Sequence, residues 1–222
     1  MKARDVMVRD VVTVKPDTDV ADAVKLLVEH DISALPVVDA DGRLLGIMSE
    51  ADLLARMEGE HRHPRWVEAL MPATRLAGEF NRAHGKTVSA VMSTNVVSAE
   101  EDTPLSEIAA LLERYRIKRV PVVAGGKVVG IVSRSNLIQA LASSKPAADA
   151  RRDVDRALRE QVLDRLSQQQ WTDFGGRNII VEDGVVHVWG LVGSESERKA
   201  LITLAGEVPG VSRVTDEMIA AY

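Results

Sequence analysis

Apolar positions in the first 143 residues alternate between a helical and a strand period, and they do so twice in the same order. Val20, Val24, Leu27 and Val28 recur at helical spacing, and Leu105, Ile108, Leu111 and Leu112 repeat that pattern further on. Each amphipathic stretch follows a β-branched run (Val11-Val12-Thr13-Val14; Val96-Val97) and an Asp-Thr or Asp-Thr-Pro helix start. Each leads into an apolar strand entered through proline, Leu35-Pro36-Val37-Val38 or Val120-Pro121-Val122-Val123. The turns Asp39-Ala40-Asp41-Gly42 and Ala124-Gly125-Gly126-Lys127 predict hairpins into Leu44–Met48 and Val128–Val132. Closing helices run through Asp52-Leu53-Leu54 and Asn136-Leu137-Ile138. The predicted unit is β-α-β-β-α, present twice. An offset of about 85 residues also aligns Val6-Met7 with Val91-Met92, Ile32 with Ile117, and Gly46-Ile47-Met48-Ser49 with Gly130-Ile131-Val132-Ser133.

The small residues and proline of Ala142–Ala148 predict a linker. Beyond it, Val154, Leu158, Val162, Leu163 and Leu166 lie on one face of a helix over Asp153–Gln170. Strands at Asn178–Val181 and Val185–Gly190 are joined at Asp183-Gly184, and Ser194 with Glu197 marks the capped start of a second helix to Ala205. Pro209-Gly210-Val211 turns into a last strand, so this region reads α-β-β-α-β.

Composition narrows the function. The chain has 222 residues, 45% of them hydrophobic, which is enough for ordinary buried cores. Only 3% are aromatic and the net charge is -5, with Lys and Arg scattered, so neither stacking platforms nor a basic footprint for nucleic acid is present. The absence of cysteine excludes disulfides, thiolate metal ligands and thiol nucleophiles. No signal-peptide pattern and no apolar run of about 20 residues occurs, and the expected location is the cytoplasm. A Gly-rich phosphate loop, a His-Glu-x-x-His motif and a nucleophile beside a base are all lacking, which argues against an enzyme. His187, between Val186 and Val188, reads as an outward strand position.

The Pro-Val pairs and the Gly-x-x-Ser-x-x-(Asp/Asn) segments at Gly46–Asp52 and Gly130–Asn136 resemble the CBS domain family over roughly residues 1–143. The resemblance implies that two copies form one module with a pseudo-twofold axis and two clefts for adenine nucleotides, and that modules pair into homodimers. Asp183–Gly190, Val192-Gly193 and Val208-Pro209-Gly210-Val211 resemble the BON domain family from about residue 152 onward. That resemblance implies attachment to proteins or membranes. Arg151, Arg152, Arg156, Arg159 and Arg165 are interleaved with Asp153, Asp155, Glu160 and Asp164, so a protein target is favoured over lipid. The expected organisation is CBS repeat 1 at 1–58, a helical insertion at 59–88, CBS repeat 2 at 89–143, a linker at 144–151 and a BON-like domain at 152–222, an α+β / α/β chain overall.

The chemistry of the clefts is readable from residue types. Gly46 and Gly130 allow close approach to the backbone, and Ser49 and Ser133 stand at helix starts, where a hydroxyl and unpaired amides form a phosphate seat. Asp52, three residues after Ser49, has a carboxylate suited to both hydroxyls of a ribose. Family resemblance implies that each cleft draws on both repeats. One would combine Ser49 and Asp52 with Met92, Val97, Lys118 and Arg119, the two cations serving phosphate. The other would combine Ser133, Arg134, Ser135 and Asn136 with Met7, Val12, Ser33 and Ala34. Asn136 departs from the family Asp, and this cleft is expected to bind AMP, ADP or ATP more weakly. The competing reading makes these residues helix caps and solvated charges, the clefts vestigial, and the protein a scaffold acting through its C-terminal domain, in one variant at a membrane or envelope.

In the insertion, Trp66, Leu70, Met71 and Phe80 read as packing or interface residues. His61, His63 and His84 lack an accompanying carboxylate set, so no metal site is expected. Trp171, Phe174 and Trp189 read as core or interface side chains rather than lipid anchors.

Overall fold

A computed structural model of the chain describes residues 1–57, 85–143, 151–172 and 178–221. Trp66, Leu70, Met71, Phe80, His61, His63, His84 and Phe174 lie outside the described residues, as does nearly all of the expected linker. Along the described residues the first elements are α1 (Ala3–Val6), α2 (Val20–Glu29), β1 (Ala34–Val38), β2 (Leu44–Ser49), α3 (Glu50–Met57) and α4 (Val88–Val91). Then come β3 (Ala99–Glu100), α5 (Leu105–Arg114), β4 (Arg119–Ala124), β5 (Lys127–Ser133) and α6 (Arg134–Ser143). The C-terminal region holds α7 (Arg152–Ser167), β6 (Asn178–Glu182), β7 (Val185–Val192), α8 (Glu195–Gly206) and β8 (Arg213–Ala220). The fold is mixed α+β, as the hydrophobic pattern predicts.

The chain forms two compact units that do not follow the order of the sequence. Unit 1 takes Met1–Val11, Val97–Ala124 and Val129–Tyr222, and unit 2 takes Val12–Val96 and Gly125–Val128.

In unit 2, α2 begins at Val20 because the Asp19 carboxylate accepts from the Ala21 amide at 2.7 Å, satisfying a donor that has no partner within the helix. Its buried stripe is Val20, Ala23 and Leu27; Val28, expected on the same face, points to solvent. β1 and β2 pair antiparallel from Ala34↔Ser49 to Val38↔Leu44, and the turn uses Gly42 at φ 81°. Both Asp41 and Arg43 donate their amides to Asp39 Oδ1 across that turn. The run Val11–Val14 is not the strand its β-branched residues predict: it contributes one parallel bridge, Val14↔Val37. Val14, Ala23, Leu35, Val37 and Met48 build the core, closed by Val88 and Val91 of α4.

Unit 1 repeats this plan with the other lead segment. The first amides of α1, from Ala3 and Arg4, donate to the carbonyls of Thr103 and Glu101 at 2.9 and 3.1 Å. Those of α4 in unit 2, from Val88 and Ser89, donate to Thr18 and Pro16 at 2.9 and 2.8 Å. Each lead segment therefore docks in the unit that holds the opposite repeat's hairpin core. β3, β4 and β5 form a sheet in that order, with β3 parallel to β4.

The C-terminal region of unit 1 has the predicted α-β-β-α-β order. β6 and β7 are antiparallel and β8 adds parallel to β7. Asp183 (φ 52°) and Gly184 (φ 74°) make the turn between β6 and β7. Both turn amides donate to the carboxylate of Asp155, at 2.9 and 2.8 Å. Ser194 Oγ accepts from the Glu197 amide at 3.1 Å, the cap expected from sequence, while Glu197 Oε2 takes the amide of Gly193 at 2.9 Å. Leu158, Val162 and Leu166 of α7 are buried against Ile179, Val181, Val186, Val188 and Leu201. Val154, expected on that stripe, is exposed. Ile180 leaves this core and joins Ala3, Val6, Met7, Leu112 and Ala140, with Trp189 packed beside it and its Nε1 donating to Ser143 Oγ at 3.2 Å. The C-terminal sheet is thus seated on the core of the second hairpin.

Candidate functional site

Among the described residues each unit contains one close approach of a methionine to a glycine. In unit 2 a Cβ on Gly46 would stand 2.6 Å from Met92 Sδ and 3.0 Å from the Ser93 carbonyl oxygen. In unit 1 a Cβ on Gly130 would stand 2.4 Å from Met7 Sδ and 3.1 Å from Met7 Cβ. Reciprocal backbone bonds fix both contacts: Ile47 with Ser93 at 2.9 Å each way, and Val8 with Ile131 at 3.0 and 2.9 Å. The side-chain-free glycine is used first to admit the lead segment of the opposite repeat.

The serine signatures follow at the end of each hairpin. The amide and hydroxyl of Ser49 donate to Asp52 Oδ2 at 2.8 and 2.6 Å, and the hydroxyl of Ser93 donates to Asp52 Oδ1 at 3.1 Å. In unit 1 the amide and hydroxyl of Ser133 donate to Asn136 Oδ1, both at 2.8 Å, and Ser133 Oγ accepts from the Asn136 amide at 3.3 Å. The first of the expected unpaired amides at each helix start is in fact taken: Glu50 donates to Ser33 O at 3.1 Å and Arg134 to Lys118 O at 3.2 Å. Asp52, half-buried, is the anionic acceptor between two serine hydroxyls; Asn136, buried, is its neutral counterpart.

The expected site residues are distributed over both units. Ser49, Asp52 and Met92 share unit 2, as do Val12, Ser33 and Ala34. Met7, Ser133, Arg134, Ser135 and Asn136 share unit 1, together with Val97, Lys118 and Arg119. Within unit 1 the Arg134 guanidinium reaches back to the Leu112 carbonyl at 3.5 Å, and Ser135 is exposed.

Four polar residues next to these signatures escape sequence reasoning. Ser93 supplies the second hydroxyl to Asp52. Arg159, read from the sequence as one of several interleaved surface charges, is only 2% exposed. It donates to the carbonyls of Ile179 at 2.7 Å, Arg4 at 3.0 Å and Met7 at 2.7 Å. Burial lowers its pKa to about 10, with the charge of Arg9 adding to the effect, and at neutral pH it remains a cation. Asn178 and Gln139 complete the set: Asn178 Nδ2 donates to Gln139 Oε1 at 3.1 Å. A sequence signal existed for Arg159, because Asp155, Arg159, Val162 and Leu166 form one i, i+3, i+4 stripe. Around it, Arg9 pairs with Glu160 and Arg156 with Asp5 at 2.9 Å.

Models of the CBS domain match residues 3–59 and 88–143, just over half of the chain. The chain belongs to the CBS domain family. A BON domain model matches residues 154–221, so the tandem CBS pair is followed by a C-terminal BON domain. The CBS-domain protein CBSX1 of Arabidopsis thaliana, a chloroplastic protein, is 34% identical over 149 residues, 63% of each chain. The chain thus spans somewhat less than two thirds of that relative. The crystal structure of CBSX2 in complex with AMP is 32% identical with a TM-score of 0.57, covering 65% of this chain and 98% of that one. The CBS pair of protein MJ0100, crystallised with 5-methylthioadenosine and S-adenosyl-L-methionine, is 28% identical with a TM-score of 0.50, covering 65% and 98%. Among the described residues no helix is long and apolar enough to cross a membrane, and no cluster of His, Asp and Glu is arranged to hold a metal.

Proposed function

We infer that this chain is a non-catalytic regulatory protein whose CBS pair binds an adenine nucleotide or related adenosyl ligand, with the BON domain as the element that passes occupancy on. The observation that carries this reading is Asp52: a half-buried carboxylate steadied by the hydroxyls of Ser49 and Ser93, in a CBS pair similar to one crystallised with AMP. The Ser49 amide and the two serine hydroxyls take three of the roughly four acceptor positions of this carboxylate, so one ribose hydroxyl can add directly and the second takes the place of a serine hydroxyl. Lys118 and Arg119 are the proposed cations for phosphate, with Met92 and Val97 lining the adenosyl side. The second site, at Ser133, Arg134, Ser135 and Asn136 with Met7, Val12, Ser33 and Ala34, offers a neutral amide in place of the carboxylate and binds more weakly. Homodimers through the CBS module and a protein target for the BON domain belong to the same reading.

Calorimetric titration of AMP and ATP into wild type and Asp52→Ala tests it. The expected result is at least a tenfold loss of affinity at one site in the variant, since a charged hydrogen-bond acceptor contributes about 1.5–3 kcal/mol. Unchanged affinity sinks the assignment to Asp52. If AMP, ADP, ATP and S-adenosylmethionine all leave the melting temperature where it was, the scaffold reading replaces this one.

A further inference from the structure

Position 136 is where the two repeats part chemically, and the structure shows what the substitution accomplishes. At one end of the side chain nothing distinguishes Asp52 from Asn136, because in both an oxygen accepts from the amide and hydroxyl of the serine three residues earlier. The other end differs. Asp52 Oδ1 meets a donor, the Ser93 hydroxyl. Asn136 Nδ2 meets an acceptor, Gln139 Oε1, at 3.4 Å. That same oxygen accepts from Asn178 Nδ2 on the first BON strand, at 3.1 Å, and Asn178 Oδ1 faces Arg159 Nη2 at 3.4 Å.

A guanidinium can only donate. Arg159 therefore turns the Asn178 oxygen toward itself and the Asn178 NH2 toward Gln139. The Gln139 oxygen must then sit at the shared vertex, and the residue at 136 must bring a donor. A carboxylate there would set oxygen against oxygen in a buried position. Arg159 closes the chain by holding the Met7 carbonyl at 2.7 Å, in the segment whose Sδ lies against Gly130.

We propose that Asn136 is the end of an amide relay, Asn136–Gln139–Asn178–Arg159–Met7, through which the BON domain positions both the Ser133–Asn136 turn and the Met7 segment of the second ligand site. The proposal rests on the preceding reading of that turn as a ligand site. Its consequence is reciprocal linkage: a ligand that draws on Asn136 changes the seating of the BON domain, and loosening that seating weakens the ligand.

The test uses the full chain, with amide hydrogen exchange, side-chain amide NMR and AMP calorimetry on Gln139→Leu, Arg159→Met, Asn136→Asp and Asp52→Asn. Exchange at the Met7, Val8 and Ser133 amides is expected to accelerate at least tenfold in Gln139→Leu and Arg159→Met, while Ser49 and Ser93 keep their wild-type rates. The Asn178 side-chain NH2 signals should shift in both Gln139→Leu and Asn136→Asp, an effect across the domain junction that a local helix cap does not produce. Asn136→Asp should lower Tm by several degrees and the reverse change, Asp52→Asn, by about one degree or less. Where AMP binds the wild type, Gln139→Leu should weaken one site about tenfold and spare the one that depends on Asp52.

A folded Gln139→Leu with wild-type exchange at Met7 and Ser133 and an unmoved Asn178 signal overturns the relay, and so does unchanged AMP affinity at both sites. Should Arg159→Met fail to fold, Gln139→Leu still decides. Should AMP, ATP and S-adenosylmethionine leave the wild type unbound, the nucleotide reading fails separately, and exchange and the Asn178 signal alone decide the relay.

Discussion

The lead segments Ala3–Asp10 and Val88–Asn95 carry the same Val-Met motif, the same short helix and the same backbone bonds to a hairpin, yet they serve different ends. Met7 is 1% exposed and is held from behind by Arg159, with Arg9–Glu160 and Asp5–Arg156 on either side. Met92 is half-buried, and the residue after it turns an exposed hydroxyl to Asp52. One copy of a motif has become an interior wall bolted to a second domain, and the other an open rim beside a carboxylate. Repetition in sequence preserved the backbone, and the neighbours determined the role.

Removing the bolt should have the largest effect. Arg159→Met strands the carbonyls of Arg4, Met7 and Ile179, and urea unfolding should record a loss of about 3 kcal/mol, with nothing comparable among the described residues of unit 2. The two glycines sharpen the comparison at a smaller scale. Gly130→Ala drives a Cβ into the buried Met7 side chain, with contacts at Sδ, Cγ and Cβ, at a cost of about 2 kcal/mol; Gly46→Ala meets the half-buried Met92 thioether, which can swing outward, and the Ser93 carbonyl oxygen, which must give by a few tenths of an ångström, and should cost about 1 kcal/mol. Equal losses would mean that the two segments are equally held. The smallest effect is a pH dependence on the bolted side. Burial raises the Glu182 pKa, against the pull of Arg152 at 3.5 Å. An acid whose folded pKa lies above its unfolded value adds most stability below the ordinary carboxylate range, and that contribution is lost as pH rises. Glu182→Gln should therefore be more stable than wild type near neutral pH, by under about 1 kcal/mol, and the difference should vanish as pH falls to about 4.

Much of this was legible in the residues. Hairpins, the order of elements, the Ser194 cap and the repeat itself follow from period and turn chemistry, which are local. What escaped was decided by partners far along the chain. Val11–Val14 has β-branched composition but one bridging partner, so it forms no strand. Val28 and Val154 fit an apolar stripe whose angular width exceeds the surface available to cover it. Arg159 looked like a surface cation because periodicity reports which face a residue shares, not whether carbonyls wait there to take its protons. Asn136 read as a weakened acceptor when considered with Ser133 alone, and only Gln139 and Asn178 reveal its donor side at work.

The exchange of lead segments between units also sets a timetable for biosynthesis. Residues 1–11 leave the ribosome before any of their partners, the Thr103 and Ile131 backbones and the Arg159 side chain, have been made. The first hairpin likewise waits for Val88–Ser93. Neither repeat can finish alone as it emerges, and the opening Met-Val strip stays uncovered until most of the chain is out. Newly made copies crowded on one message are the setting in which such a strip would find the hairpin of a neighbour instead of its own.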